Sequence, residues 1–129
     1  MAEPFSLSGQ DIIRFIPTVD AERAKKFYRD TLGLPLVSDE LPFALVFEAN
    51  GTMLRVTVVQ QLTPAAYTIL GWKVPDIAVA AMALTQAGVH FERYPWMEQD
   101  ELGIWTSPGD AKVAWFKDPD GNTLSISQH

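Results

Sequence analysis

Apolar and polar residues along the first half of the chain form short runs that predict strands on either side of one helical stretch. Four strands are predicted here, at residues 12–16, 36–38, 43–47 and 52–59. Asp20 is typical of a helix N-cap, and Gly33 is typical of the left-handed residue that ends a helix. Asn50-Gly51 predicts a tight hairpin because both residues tolerate positive φ. The pattern therefore predicts a strand, a helix and three strands.

The second half repeats this order. Strands are predicted at residues 69–74, 89–94, 112–117 and 123–127. Asp76 and Gly88 bound the second helix, 56 and 55 residues after Asp20 and Gly33. Asp118-Pro-Asp-Gly121 predicts the last turn. We therefore predict one α+β domain over residues 1–129, with βαβββ modules at about 11–60 and 68–128.

One segment, residues 95–110, has no counterpart in the first half. It contains Trp96, Met97 and Trp105 together with several acidic residues. Two interpretations stay open for its aromatic side chains. They form either a flap over a binding site or a contact between two copies of the chain.

Two motifs resemble the vicinal oxygen chelate superfamily, which includes glyoxalase I, bleomycin-resistance proteins and extradiol dioxygenases. The first motif runs from Thr18 to Tyr28 and continues as Leu32-Gly33-Leu34, and the second is the Phe116–Asn122 segment. The resemblance implies that the strands of two βαβββ modules curve into a cup of mixed sheet with the helices outside. It also implies a homodimer. It leaves the function open, because this fold hosts enzymes and binding proteins alike.

The composition excludes several classes of partner. The net charge is -6 and the chain has no basic patch, which argues against nucleic acid. It contains no cysteine, so disulfides and thiolate sites are excluded. No apolar run reaches the roughly 18 residues of a membrane span, so we expect no membrane partner. A signal peptide is not evident, and we expect a soluble cytoplasmic protein.

The resemblance implies metal ligands at four equivalent positions in the cup, which this chain fills with Ile13, Arg55, Ile69 and Ser125. Thr57 is the alternative to Arg55 if the register of the fourth strand differs. Isoleucine has no donor atom, and arginine only donates hydrogen bonds. Such residues do not suit a divalent cation, which needs about three carboxylate or imidazole ligands. We therefore expect no metal and no cofactor. A site built from carboxylates alone stays open as an alternative, drawn from Glu48, Glu92 and residues 98–101.

Without a metal, the cup would present a mixed lining that suits a small organic ligand, cationic or aromatic. The candidate ligand-binding residues are Phe15, Arg55, Thr57, Lys73, Trp115 and Ser125. Arg55 could bind an acidic ligand group, or it could pair with Glu48 or Glu92. Trp115 could stack on the ligand while its neighbour Phe116 faces the core.

These observations favour a metal-independent small-molecule binding protein. The alternative is a glyoxalase-like lyase or isomerase, or a dioxygenase-related enzyme, with a non-standard site. The reaction would then use either an unforeseen metal site or an acid-base pair such as Glu92 and His90. A third possibility is an interaction module whose aromatic side chains serve an interface.

Overall fold

The computed structural model describes residues 4–129 and contains two four-stranded mixed sheets, each packed against one helix. The first module consists of β1 (Ile13–Thr18), α1 (Ala21–Lys25), β2 (Leu36–Glu40), β3 (Ala44–Ala49) and β4 (Thr52–Val58). The second consists of β5 (Thr68–Lys73), α2 (Ile77–Gln86), β6 (Trp105–Thr106), β7 (Lys112–Lys117) and β8 (Thr123–Gln128). Sheet A has the order β1-β4-β3-β2, and sheet B has the order β5-β8-β7-β6. The predicted pair of βαβββ modules is confirmed.

The helix boundaries follow from local chemistry. Asp20 accepts a hydrogen bond from the Arg23 N–H, and Asp76 accepts from the N–H groups of residues 78 and 79. Gly33 and Gly88 end the two helical stretches at φ angles of +76° and +103°. No helix within residues 4–129 is long and apolar enough to cross a membrane.

The first helical stretch differs from the single helix predicted. After Lys25 the chain continues as a π-helix over Lys26–Thr31. Phe27 and Tyr28 lie on this wider turn and point towards the second module, where the Phe27 ring centroid is 6.5 Å from that of Phe116. The π-helix therefore helps to join the two modules.

The strand predicted at residues 89–94 is wrong. Only Phe91 forms a bridge, with Phe116, and the rest of that edge of sheet B is formed by β6. The side chain of Gln99 explains the difference, since it accepts from the Tyr94 N–H and donates to the carbonyl oxygens of Glu92 and Gly103. Side-chain hydrogen bonds thus replace a second strand partner along this segment.

A buried polar cluster connects the modules at the turn between β7 and β8. The Tyr28 hydroxyl donates to Asp118 at 2.6 Å, and the Asn122 side chain donates to the Pro17 carbonyl at 2.9 Å. Asp120 accepts from the Thr18 hydroxyl at 2.6 Å. One continuous apolar core, with Ile16, Phe47, Phe116 and Leu124 among its residues, spans the helix-facing sides of both sheets.

Candidate functional site

The side of each sheet that faces away from its helix is called its open face. On sheet A this face carries Ile13, Phe15, Met53, Arg55 and Thr57, whereas the alternate residues Leu54 and Val56 are buried. On sheet B it carries Gly71, Lys73, Trp115, Ser125 and Ser127, and here Leu124 and Ile126 are buried. The period of two along each strand sorts the residues in this way.

The strand pairing shows which residues of the two modules are equivalent. Phe15 pairs with Arg55 in sheet A, and Gly71 pairs with Ser125 in sheet B. Because residues 15 and 71 lie 56 positions apart, the same spacing as the helix caps, Arg55 and Ser125 occupy equivalent places. Thr57 lies one pleat further along β4.

Arg55 is already paired within its own module. Its Nη2 atom lies 2.9 Å from Oε1 of Glu40, and both side chains are partly exposed. The partners expected from the sequence, Glu48 and Glu92, were wrong. Glu48 pairs with Met53 across the hairpin, and Glu92 lies 4.0 Å from the Lys117 ammonium group.

Ser125 lies at the centre of the open face of sheet B, between Gly71 and Trp115 on the neighbouring strands. A Cβ atom at Gly71 would be only 2.7 Å from the Ser125 hydroxyl, so the absence of a side chain there leaves room for this hydroxyl. Ser125 itself is 9% exposed. The position therefore presents a small hydroxyl beside the ring of Trp115.

Trp115 belongs to a cluster of four aromatic residues, Tyr94, Trp96, Trp105 and Trp115. We call it the aromatic cluster. The Trp115 ring centroid lies 6.0 Å from that of Trp105 and 5.9 Å from that of Tyr94. Trp96 is 77% exposed, and its ring lies 5.1 Å from that of Tyr94. Burial, and then the nearby Glu92 carboxylate, raise the pKa of Tyr94 above its ordinary value of 10.0, so its hydroxyl is protonated at neutral pH.

The segment that carries three of these rings is held in a defined shape. Gln99 makes the three backbone hydrogen bonds described above, and Asp100 accepts from the N–H groups of Leu102 and Ile104. Side-chain caps of this kind order loops that lack regular secondary structure. The aromatic cluster is thus presented by a structured loop.

The fold and the motifs can now be compared with known proteins. Residues 11–126 match the Glyoxalase/Bleomycin resistance protein/Dioxygenase superfamily. The chain belongs to this superfamily. No curated protein sequence matched the chain.

Several solved structures share the superfamily fold. A superfamily member from Sphaerobacter thermophilus DSM 20745 is 24% identical, with a TM-score of 0.74 over 96% of this chain and 100% of that one. TnmS3, an antibiotic binding protein from Streptomyces sp. CB03234, is 23% identical, with a TM-score of 0.67 over 96% and 98%. Lactoylglutathione lyase from Agrobacterium tumefaciens is 15% identical, with a TM-score of 0.71 over 93% of each chain. At these identities the similarity shows the fold alone.

The four positions that the superfamily resemblance marks for metal ligands do not suit a divalent cation in this chain. Ile13 and Ile69 offer no donor atoms, Arg55 is cationic and bound to Glu40, and Ser125 offers one neutral hydroxyl. Within residues 4–129, no group of three or more His, Asp or Glu side chains is placed to hold a metal ion.

The predicted ligand-binding residues fall into two groups, one on each sheet. Phe15, Arg55 and Thr57 lie on sheet A, whereas Lys73, Trp115 and Ser125 lie on sheet B. Among the cavities of the described residues, none of the three with volumes of about 640, 360 and 330 Å³ is lined by both groups.

The aromatic cluster is the feature that the sequence interpretation only partly captured. Trp115 was expected to face away from the core, and the burial of Phe116 beside it agrees with that expectation. Tyr94 was not expected beside it, whereas Trp105 was expected either in a flap over the binding site or in a contact between two copies of the chain. The density of aromatic residues in the segment without a counterpart was the one available indication. His90, one member of the acid-base pair in the alternative enzyme hypothesis, is exposed.

Proposed function

We propose that this superfamily member is a metal-independent binding protein that captures a planar aromatic, cationic small molecule on the open face of sheet B. The observation that carries the proposal is the set of four residues at the metal-ligand positions, which lacks carboxylate and imidazole donors. The mechanism is stoichiometric capture, with no bond made or broken. TnmS3, an antibiotic binding protein, is a precedent for the binding of a small molecule by this fold.

The aromatic cluster supports a ligand of this class. Aromatic faces attract planar rings and cations, with a gain of about 0.5–2 kcal/mol for each good contact. The acidic residues Glu98, Asp100 and Glu101 lie on the same loop as Trp96, and the net charge of the chain is -6. Both features favour a cation over an anion. In this proposal Trp115 stacks on the ligand, and the Ser125 hydroxyl contacts its edge.

The proposal includes a homodimer. The open face of sheet A carries apolar side chains that are exposed in the single chain, namely Phe15 at 58%, Ile13 at 44% and Met53 at 41%. Exposed apolar surface of this kind typically marks an interface. A second copy placed with its sheet A against sheet B would bring Phe15, Arg55 and Thr57 opposite Lys73, Trp115 and Ser125.

A titration with proflavine, a planar aromatic cation, tests the binding site. We expect saturable binding, and at 100 times the dissociation constant the ligand should stabilise the fold by about 2.7 kcal/mol. Trp115→Ala should weaken binding about tenfold, whereas Trp115→Phe, which keeps a ring, should retain most of it. Tyr67→Ala is the matched control, because Tyr67 is 73% exposed and lies outside the aromatic cluster. Equal affinities of all variants would contradict the assignment of the site.

Two further measurements test the remaining parts. Elemental analysis should find less than one equivalent of transition metal per chain after purification without chelator. A full equivalent that survives dialysis would overturn metal independence. Sedimentation should show a dimer that Phe15→Asp dissociates and that Val79→Asp, at an exposed position of α2, leaves intact. A monomeric wild-type protein would remove the dimer from the proposal.

A further inference from the structure

A cavity of about 640 Å³ lies between the two modules, on the side of sheet B that carries Trp72, Phe116 and Ile126, and Lys73 is the lining residue from the open face of that sheet. The first module contributes the chain after its π-helix and the β3–β4 hairpin. The second module contributes the end of β5, one face of α2, and Phe116 and Ile126 of β7 and β8. The lining residues are Leu32, Leu34, Pro35, Glu48, Ala49, Asn50, Trp72, Lys73, Val74, Ala80, Ala83, Leu84, Phe116 and Ile126. We call this cavity the inter-module groove.

The groove is apolar inside and polar only at its rim. Eleven of its fourteen lining residues are apolar, and the other three, Glu48, Asn50 and Lys73, are all exposed. The buried residues Phe116 and Ile126 line it, and the ring of Trp72 stacks nearly parallel to that of Phe116, at an interplanar angle of 16°. The partly buried ring of Trp72 therefore lies beside aliphatic residues of α2 in the groove.

We infer that the inter-module groove is a second small-molecule site, for a planar and mostly apolar aromatic molecule whose single polar group stays at the rim. Its volume lies within the range of roughly 300–1,000 Å³ that is typical of ligand sites, and such sites combine an apolar lining with few polar groups. Filling an apolar cavity of this size with an apolar ligand is more favourable than filling it with water, because water molecules would find few hydrogen-bond partners there.

The inference does not depend on the proposed function. The groove is lined by Trp72, Phe116 and Ile126, whose side chains lie on the opposite side of sheet B from Trp115 and Ser125. None of the four residues of the aromatic cluster lines it. A ligand could occupy either site while the other is empty.

The test uses N-phenyl-1-naphthylamine, an uncharged aromatic dye that fluoresces in apolar surroundings. We expect one dye per chain, with quenching of tryptophan fluorescence as it binds. Ala83→Phe places a ring in the groove from an exposed position of α2 and should weaken dye binding about tenfold. Met82→Phe is the matched control, since the neighbouring Met82 is exposed and does not line the groove. Ala83→Phe should leave proflavine binding unchanged, which separates the two sites.

Nuclear magnetic resonance of the wild-type protein provides a measurement that needs no variant. The methyl resonances of Leu32, Leu34 and Leu84 should shift on dye addition, and those of Leu45 in sheet A should not. Equal dye affinities of Ala83→Phe and Met82→Phe would overturn the inference. So would unshifted leucine resonances, or dye binding by the dissociated Phe15→Asp variant alone, which would mean that a second copy covers the groove.

Discussion

Replacement of Tyr28 by phenylalanine removes a single hydroxyl from the junction between the modules and leaves the aromatic ring in place. In the wild-type protein this hydroxyl donates to Asp118 Oδ2 at 2.6 Å. Tyr28 is 1% exposed and Asp118 is 5% exposed, so water cannot easily take the place of the donor. The variant leaves the Asp118 carboxylate with the donors of residues 120 and 122 only.

The expected loss of stability follows from the strength of that bond. A hydrogen bond to a charged group contributes about 1.5–3 kcal/mol, so Tyr28→Phe should lower the free energy of unfolding by about 2 kcal/mol. In urea this corresponds to a midpoint shift of about 1 M. Tyr67→Phe is the control and should change stability by less than about 0.5 kcal/mol, because Tyr67 is exposed.

The loss should also depend on pH. Burial raises the pKa of Asp118 above its ordinary value of 3.8, although hydrogen bonds from Tyr28 and Asn122 act in the opposite direction. A carboxyl with a raised pKa stabilises the fold below pH 3.8, and this contribution is lost as the pH rises through the pKa of the folded state. Removal of the Tyr28 donor raises the pKa of Asp118 in the folded state further, so the variant loses more stability than the wild type as the pH rises. The difference between wild type and variant should therefore widen above pH 3.8. Burial also raises the pKa of Tyr28 itself, which keeps its hydroxyl protonated throughout.

Urea denaturation followed by tryptophan fluorescence, at several pH values between acid and neutral, measures both effects. If Tyr28→Phe and Tyr67→Phe unfold at the same urea concentration at neutral pH, the hydrogen bond does not hold the junction. If the difference between wild type and Tyr28→Phe stays constant with pH, the ionisation of Asp118 is not coupled to it.

Three further predictions concern single positions. Gly33→Ala should lower the free energy of unfolding by about 1 kcal/mol, because the residue has positive φ. Gly121→Ala should lower it by about 2–3 kcal/mol, since the new Cβ would also lie 3.2 Å from Pro64 Cγ. Equal urea midpoints of the two variants would contradict this. Asp76→Ala should cost about 1 kcal/mol through the loss of the α2 cap, as measured by thermal unfolding, and no change would show that the cap is dispensable. A double-mutant cycle with Arg55→Gln and Glu40→Gln should give less than about 1 kcal/mol, because the pair is partly exposed, and a larger coupling would mean that it is shielded from water.

Much of the fold could be predicted because its determinants are local. Asp20 and Asp76 cap helices through atoms two or three residues away, and Asn50-Gly51 adopts positive φ at both residues. The duplicated spacing then placed Arg55 and Ser125 at equivalent positions, and the strand pairing agrees. Predictions of this kind need only the sequence neighbours of each residue.

The errors arise where a distant residue determines the outcome. The run from Val89 to Tyr94 has apolar residues suited to a strand, but the side chain of Gln99 takes backbone groups that a strand partner would have used. Glu40 reaches Arg55 only because β2 and β4 lie on either side of β3 in sheet A. The inter-module groove had no local indication at all, since it exists only once the two modules pack together.

The chemistry of the two open faces explains why the proposed capture depends on sheet B. Arg55 and Ser125 occupy equivalent places, yet the charge of Arg55 is already balanced by Glu40, so an acidic ligand would have to displace a carboxylate that is 2.9 Å away. Ser125 carries no charge and lies beside the partly exposed Trp115, so a ligand there would not have to break an ion pair. A flat cation can therefore contact Trp115 on sheet B without breaking an existing interaction. An anion on sheet A would replace the Arg55–Glu40 ion pair with a similar one, so its net binding free energy would be small.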